Sequence, residues 1–339
     1  MKEVRVEDAI GMVLCHDMTE IIPGKKKGCA FRKGHIVTES DIEKLLDIGK
    51  RHIFVWDLKE GYVHENDAAI RMAKAAAGPN IRLSEPKEGK VNLTAVCDGL
   101  LSVNTELLYD LNMDEQVCFS SIHGGKMAKE GKLLAGTRVI PLVVKEETVA
   151  DFEEKCRRQG PVLQVKPLAH AKIGIVVTGS EVLEGRIQDQ FSPVLEEKAK
   201  ELGSEIMGKV LAGDDKDRIR LEIENWMEKG ADMVWVSGGM SVDPDDRTPA
   251  AIRACGGEVI TYGTPVLPGA MFMLSYVQGI PVIGLPGCVM YSKRTVFDLA
   301  VPRILAGERL TRMDFVKMAH GGLCQNCPVC VYPDCGFGA

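Results

Sequence analysis

Acidic residues concentrate in the turns of one stretch of this chain: Glu181, Asp189, Asp214 and Asp215, then Asp243, Asp245 and Asp246. A carboxylate accepts two parallel N–H bonds from a guanidine-like edge, as it does from arginine. It can also hold Mg²⁺, which keeps several waters and shares its remaining sites with phosphate oxygens. Among these acids lie three turns short of side chain: Thr178-Gly179-Ser180-Glu181, Ser237-Gly238-Gly239 and Leu285-Pro286-Gly287. Residues without Cβ let a ligand reach the backbone. The two sets together suit a ligand with a nitrogen heterocycle at one end and a phosphate at the other. For any single acid the competing reading is a helix cap or a solvated loop, and Asp246 could simply support the helix that begins two residues later.

A second group stands near the end of the sequence, where Cys324, Cys327, Cys330 and Cys335 follow one another as C-x₂-C-x₂-C-x₄-C. Short intervals let a reversing chain present sulfur from several sides, so four thiolates can wrap zinc or an iron–sulfur cluster. The competing reading is a redox-active or unliganded tail. Gly321-Gly322, just before it, reads as a hinge.

The elements that must position these residues follow from the apolar pattern. From Lys172 onward strand and helix alternate, the signature of an α/β sheet with helices on both faces. Strands are expected at 173–177, 205–211, 233–236, 258–261, 271–277 and 281–285. Helices are expected at 192–202, where Ser192-Pro193 is read as the cap, and at 217–229, 248–255 and 291–305. Thr248-Pro249 reads as an N-cap with proline in the first turn, and a helix N-terminus favours anions. In a parallel sheet the strand C-termini share one edge, so the glycine turns should converge on one crevice.

Upstream, smaller units are expected. Residues 1–78 read as an α+β unit, in which Thr38-x-x-Asp41 starts a helix ending at Gly49 and 53–56 is a strand. The basic loop Pro23-Gly24-Lys25-Lys26-Lys27-Gly28 reads as a solvated turn. Residues 79–149 read as β-rich, and His123-Gly124-Gly125-Lys126 as a glycine turn between strands. A charged connecting helix is expected over 146–160 and a linker over 161–167, so that 150–169 joins the β-rich unit to a sheet domain at 170–310, followed by a cysteine-rich tail at 311–339.

The net charge of −6 argues against nucleic acid or a polybasic membrane surface as partner. No apolar run approaches the roughly 18 residues of a membrane span, and the first residues lack a signal peptide's apolar core, so a cytoplasmic protein is expected. In that compartment the 11 cysteines should stay reduced.

Six motifs then occur in order: T-G-S-E-V (178–182), G-R-I-Q-D (185–189), A-G-D-D (212–215), V-S-G-G-M-S (236–241), D-x-T-P (246–249) and G-L-P-G (284–287). This series resembles the molybdopterin-binding domain of molybdenum-cofactor biosynthesis proteins, a family that includes adenylyl-transferring and molybdate-inserting enzymes. The resemblance covers roughly residues 170 to 310. It implies molybdopterin or its adenylylated form as ligand, with Mg²⁺. It also implies Glu181, Asp189, Asp214, Asp215 and Asp246 as acidic binding or catalytic residues. Thr178, Gly179, Ser237, Gly238, Gly239, Ser241, Pro286 and Gly287 would line the ligand. The chemistry implied for intact members is Mg²⁺-assisted hydrolysis of the adenylylated pterin with molybdate taken onto its dithiolene.

The match is nearest to the molybdate-inserting branch, through Pro265-Val266-Leu267-Pro268-Gly269 and Gly284-Leu285-Pro286-Gly287. It departs from that branch where Leu267 and Ala270 replace lysines, and where Cys288-Val289 replace asparagine and proline. Lysine supplies a point charge for phosphate or molybdate; leucine and alanine supply none. Three readings follow: a cofactor-maturation enzyme; a carrier or regulator that keeps the pocket, with a molybdoenzyme as client in either case; or a cysteine-metal redox module on an α/β scaffold, with a homo-oligomer as an open arrangement.

Overall fold

The computed structural model describes residues 2–22, 26–56 and 60–338. The expected basic turn falls partly on Pro23, Gly24 and Lys25, which lie outside the described residues. The chain divides into two compact units, one of residues 1–96, 103–122 and 130–164, the other of residues 97–102, 123–129 and 165–339.

The first unit holds an antiparallel four-stranded sheet in the spatial order Ile81–Leu83, Val91–Ala95, Leu133–Val139, Val117–Ser121. Helix Glu65–Ala76, whose Ala68, Ala69, Met72, Ala73 and Ala76 are buried, lies with this sheet. Helix Glu146–Gln159 stops at Gly160, which takes φ +85°. The β-rich pattern of this stretch gives no sign of the helix at Thr105–Leu111. Asn104 caps it by accepting the Leu107 N–H at 3.1 Å, and Glu106 stands in its first turn, helix-start signals that the β-rich reading passes over. The supposed linker carries a short strand, Leu163–Lys166.

The second unit is built on a six-stranded sheet in the order Glu205–Leu211, Lys172–Val177, Met233–Ser237, Ile280–Leu285, Met273–Val277, Glu258–Tyr262. Pairing is parallel across the first four strands and antiparallel at the last two. The central strands read as unbroken apolar runs because both of their faces are covered. Ile173, Ile175, Val177 and Trp235 join one core with Leu195, Phe297 and Val301. Val176, Val234 and Val236 join another with Ile219, Ile223, Ala251 and Ile252. Each such side chain withdrawn fully from water contributes about 1.5–3 kcal/mol.

Helix Phe191–Glu201 and helix Val296–Leu305 are tied on the first face by a buried Lys198–Asp298 pair at 2.8 Å, and Arg294 bonds both Asp298 and Glu201. The last of these helices starts later than its apolar pattern suggests. Residues 287–290 form a 3₁₀ turn, and Thr295 and Asp298 close a capping box that sets the first helical residue at Val296. A short helix, Arg312–Lys317, follows with a second capping box between Thr311 and Asp314. Among the described residues no helix is long and apolar enough to cross a membrane.

Candidate functional site

The direction of chain travel reverses at Lys172–Val177. The following strand, 205–211, lies on one side of it and the next, 233–237, on the other. Loops leaving the C-termini of strands flanking such a reversal diverge and open a crevice, which is where ligands bind in open α/β sheets. Those loops are Thr178–Glu181 and Gly238–Ser241, and the loop after Leu285 lies beside them because Ser237 pairs with both Val177 and Leu285.

The lip is held by hydroxyls. Thr178 donates its N–H to the Ser237 carbonyl at 2.8 Å and its hydroxyl to the same oxygen at 3.1 Å. The Thr248 hydroxyl donates to the Gly238 carbonyl at 2.9 Å and lies 3.3 Å from the Thr178 hydroxyl. Gly238 and Gly239 take φ +91° and +57°, a region that favours glycine. A Cβ at Gly238 would meet the Thr178 hydroxyl oxygen at 2.7 Å, and one at Gly239 would meet that of Thr248 at 2.9 Å. Tyr262 braces the loop beyond, donating to the carbonyls of Met240 and Ser241 at 3.0 and 3.3 Å.

Thr248 is not the cap of helix Thr248–Ala254 that its place before proline suggests. Arg247 occupies that position instead, without a side-chain cap bond. The hydroxyl that could have capped the helix turns to the glycine lip. Thr248 and Tyr262 thus support the site in a way that sequence reasoning misses, since their partners lie 10 and 22 residues away in sequence.

Ser237 is fully buried, and its hydroxyl oxygen has no hydrogen-bond partner among the described residues. An unsatisfied buried hydroxyl costs about 1–3 kcal/mol, so it calls for an explanation. Its place, at the end of the central strand and directly before Gly238, is where an anionic group would meet backbone donors.

The acids divide by what they already do. Glu181 folds over its own turn, its carboxylate 2.9 Å from where a Cβ of Gly179 would stand. Asp214 accepts the Ser180 N–H at 2.7 Å, joining the loop after 205–211 to the loop after 172–177. Asp215 caps helix Lys216–Glu228 through the Arg218 N–H at 2.7 Å. Asp246 closes a tight turn with Asp243, by N–H contacts of 3.0 and 3.3 Å.

Asp189 is the most committed. It accepts the N–H groups of Phe191 and Ser192 at 2.9 and 3.0 Å, the Ser192 hydroxyl, and Lys209 at 3.1 Å. Burial works to raise its pKa, but the bonds from Ser192 and Lys209 outweigh it and hold the carboxyl below its usual range. Asp189, not Ser192, thus starts helix Phe191–Glu201. The spacing D-x-x-S just before an apolar face was the signal that could have revealed it.

Among the described residues no three His, Cys, Asp or Glu side chains are grouped so as to hold one ion. Mg²⁺ commonly takes only one or two carboxylates and completes its shell with water and substrate phosphate. Glu181 and Asp214 lie on the loop after 172–177 and its neighbour, and Asp246 lies on the loop after 233–237, so each offers a carboxylate of the kind such binding uses. The unpartnered Ser237 hydroxyl and the Gly238 cradle fit a phosphate.

The comparisons agree in kind. Residues 174–306 match the model of a "probable molybdopterin binding domain", and residues 3–57 match a domain of unknown function (DUF8806). A CinA-like protein of Mycobacterium tuberculosis is 37% identical over 91 residues, covering 26% of this chain and 21% of that protein. One of Mycolicibacterium vanbaalenii is 41% identical over 91 residues, 26% of this chain and 22% of its own. The chain thus spans about a fifth of the length of these curated relatives. Among solved structures, the tungsten cofactor synthesizing protein MoaB from Pyrococcus furiosus is similar at 19% identity and a TM-score of 0.35, covering 42% of this chain and 98% of its own. The molybdopterin biosynthesis MoeA protein of Pyrococcus horikosii is similar at 18% identity and a TM-score of 0.34, covering 90% of this chain and 74% of its own. At such scores the fold argument rests on the sheet itself.

Proposed function

We propose that this protein, whose residues 174–306 match a probable molybdopterin binding domain, binds molybdopterin or its adenylylated form and acts in maturation of the molybdenum cofactor. The observation that supports this most directly is the buried, unpartnered Ser237 hydroxyl beside the positive-φ glycines, at the reversal point of the sheet. Ser237, Gly238, Gly239 and Ser241 receive the phosphate end, with Thr178, Gly179, Pro286 and Gly287 around it. Glu181, Asp214 and Asp246 receive the pterin N–H edge or Mg²⁺. When bound, Mg²⁺ neutralises phosphate charge and so eases displacement at phosphorus. Asp189 and Asp215 act by fixing the two helix starts that frame the crevice.

Within this reading, one observation favours a carrier over a molybdate-inserting enzyme. Leu267, where the inserting branch has lysine, donates its N–H to the Gly322 carbonyl and accepts the Cys324 N–H at its own carbonyl, each at 2.8 Å. That segment holds the tail, and leucine offers no cation for molybdate. Such a carrier would hand its cofactor to a molybdoenzyme client.

Titration of the purified full chain with adenylylated molybdopterin, Mg²⁺ and molybdate tests both levels. Saturable binding with AMP release supports the enzyme, and saturable binding without release supports the carrier. Absence of binding overturns the proposal. Asp246→Ala should weaken binding, and an unchanged affinity would remove Asp246 from the site.

A further inference from the structure

Residues 324–338 contain neither helix nor strand, yet both ends of the segment are fastened. At the start, Leu267 and Leu323 form a parallel bridge, and Gly322 comes so close to the Pro265 carbonyl that a Cβ would meet it at 2.8 Å. At the end, Gly338 donates to the Gly321 carbonyl at 2.9 Å, and Phe337 is buried in the sheet unit's core. Gly321-Gly322 is therefore a close-packed anchor and not the hinge its composition suggested. In between, Tyr332 bonds the Asp298 carbonyl at 3.0 Å with Arg294 over its ring, and Lys126 donates to the Cys335 carbonyl.

The loop held this way is apolar where it should not be. Phe337 and Tyr332 pack on the core, but Val329 and Val331 are 75% and 52% exposed, so hydrophobic burial does not account for the order of the stretch between Cys327 and Tyr332. What its residues share is one cavity of about 660 Å³, lined by all four tail cysteines together with Lys293 and Arg294. Short loops that lack a core are commonly organised by a metal centre.

We propose that Cys324, Cys327, Cys330 and Cys335 ligate an iron–sulfur cluster seated in this cavity. All four cysteines line this one cavity, whose volume of about 660 Å³ leaves room for a core of several irons and sulfides. C-x₂-C-x₂-C is a spacing that iron–sulfur ligands use. Four thiolates leave such a cluster negatively charged, and Lys293 on the wall, which also bonds the Pro328 carbonyl at 3.2 Å, opposes that charge, while Arg294 is already paired with Asp298 and Glu201.

The test uses the full chain purified without oxygen and reconstituted with ferrous iron and sulfide. Expected are about four irons and four sulfides per chain, with a visible absorption band that dithionite bleaches. Cys327→Ser and Cys330→Ser, at exposed positions, should each cut bound iron several-fold while leaving the circular dichroism of the sheet unit in place. Cys255→Ser, far from the tail in sequence, should retain the full complement. Stoichiometric zinc without iron, iron that survives both tail substitutions, or no metal at all would overturn the assignment. Pterin affinity plays no part in these readouts, so this inference and the proposed function fail separately.

Discussion

The Thr248 hydroxyl donates to the Gly238 carbonyl at 2.9 Å across ten residues of sequence, fixing the first turn of a helix to the glycine lip at the end of the central strand. Thr248 is fully buried, so water does not compete for this bond. Replacing threonine by valine preserves shape but leaves the Gly238 carbonyl without that donor. Thr248→Val should cost about 1–2 kcal/mol in denaturant unfolding and weaken pterin binding more than that loss alone would. Lost stability with unchanged pterin affinity would mean that the lip does not contact the ligand.

Ser237→Ala is expected to act in the opposite sense on the free protein. The hydroxyl is buried without a partner, so removing it relieves a desolvation cost. The unliganded variant should unfold at an equal or higher denaturant concentration, by about 1 kcal/mol at most. Phosphate or pterin affinity should fall in the same preparation. A stability gain that comes with a binding loss separates a ligand contact from a packing role.

Two glycines of the same edge should respond differently to alanine. Gly238 has φ +91° and would place a Cβ 2.8 Å from the Thr178 carbonyl oxygen, whereas a Cβ at Gly287 meets nothing within 4 Å. Gly238→Ala should cost about 1–3 kcal/mol and abolish measurable pterin binding. Gly287→Ala should stay within about 0.5 kcal/mol of wild type, so any affinity change there reports crowding of the ligand and not unfolding of the lip. Thermal melts run beside pterin titrations check both.

The sheet was legible because its strands are covered on both faces. Runs such as Met233-Val234-Trp235-Val236 need no partner information to be read as buried strands. The glycine turns after them followed from the same pattern. Helix starts were harder, because Ser, Thr and Asp are interchangeable in sequence and are told apart by what stands nearby in space. Thr248 stands directly before a proline, as a capping residue would, and the Gly238 carbonyl takes its hydroxyl instead. Asp189 looked like a ligand acid and is spent on Phe191 and Ser192. The unpartnered state of Ser237 has no sequence signature, since it depends on how two neighbouring strands close over it.

Asp189→Asn therefore tests structure before function. The amide keeps one acceptor oxygen for the helix start but loses the charge that Lys209 meets at 3.1 Å. A loss of about 1–2 kcal/mol is expected near neutral pH. The wild-type carboxyl titrates below its ordinary 3.8 when folded. Its contribution is thus complete above that value and disappears as pH falls through the lower folded pKa. Unfolding curves of the two proteins should converge in acid. A difference that persists below the folded pKa would assign the loss to the amide's geometry and not to the missing charge.

In the first unit His64 predicts a second pH dependence. It is fully buried, with Nε2 bonded to the Cys15 carbonyl, while Nδ1 lies 3.2 Å from the Asn66 N–H and 2.9 Å from the Lys33 ammonium. A carbonyl only accepts and the other two only donate, which makes the ring the neutral Nε2–H tautomer. Protonating Nδ1 would aim a new N–H at two donors. Burial lowers the His64 pKa, the Lys33 and His16 charges add to that, and the Cys15 bond and Asp67 oppose it. The unfolded chain, with a histidine pKa of about 6.5, then takes up the proton first as pH falls. Stability from this residue is complete above that pH and is lost as pH drops through the lower folded value. His64→Gln should flatten this part of the stability curve. Lys33→Met, by removing the repelling ammonium, should raise the folded pKa and shrink the loss between about pH 7 and 5. Denaturant midpoints measured across that range decide it; a wild-type midpoint that does not move would show that His64 is protonated in the folded state without cost.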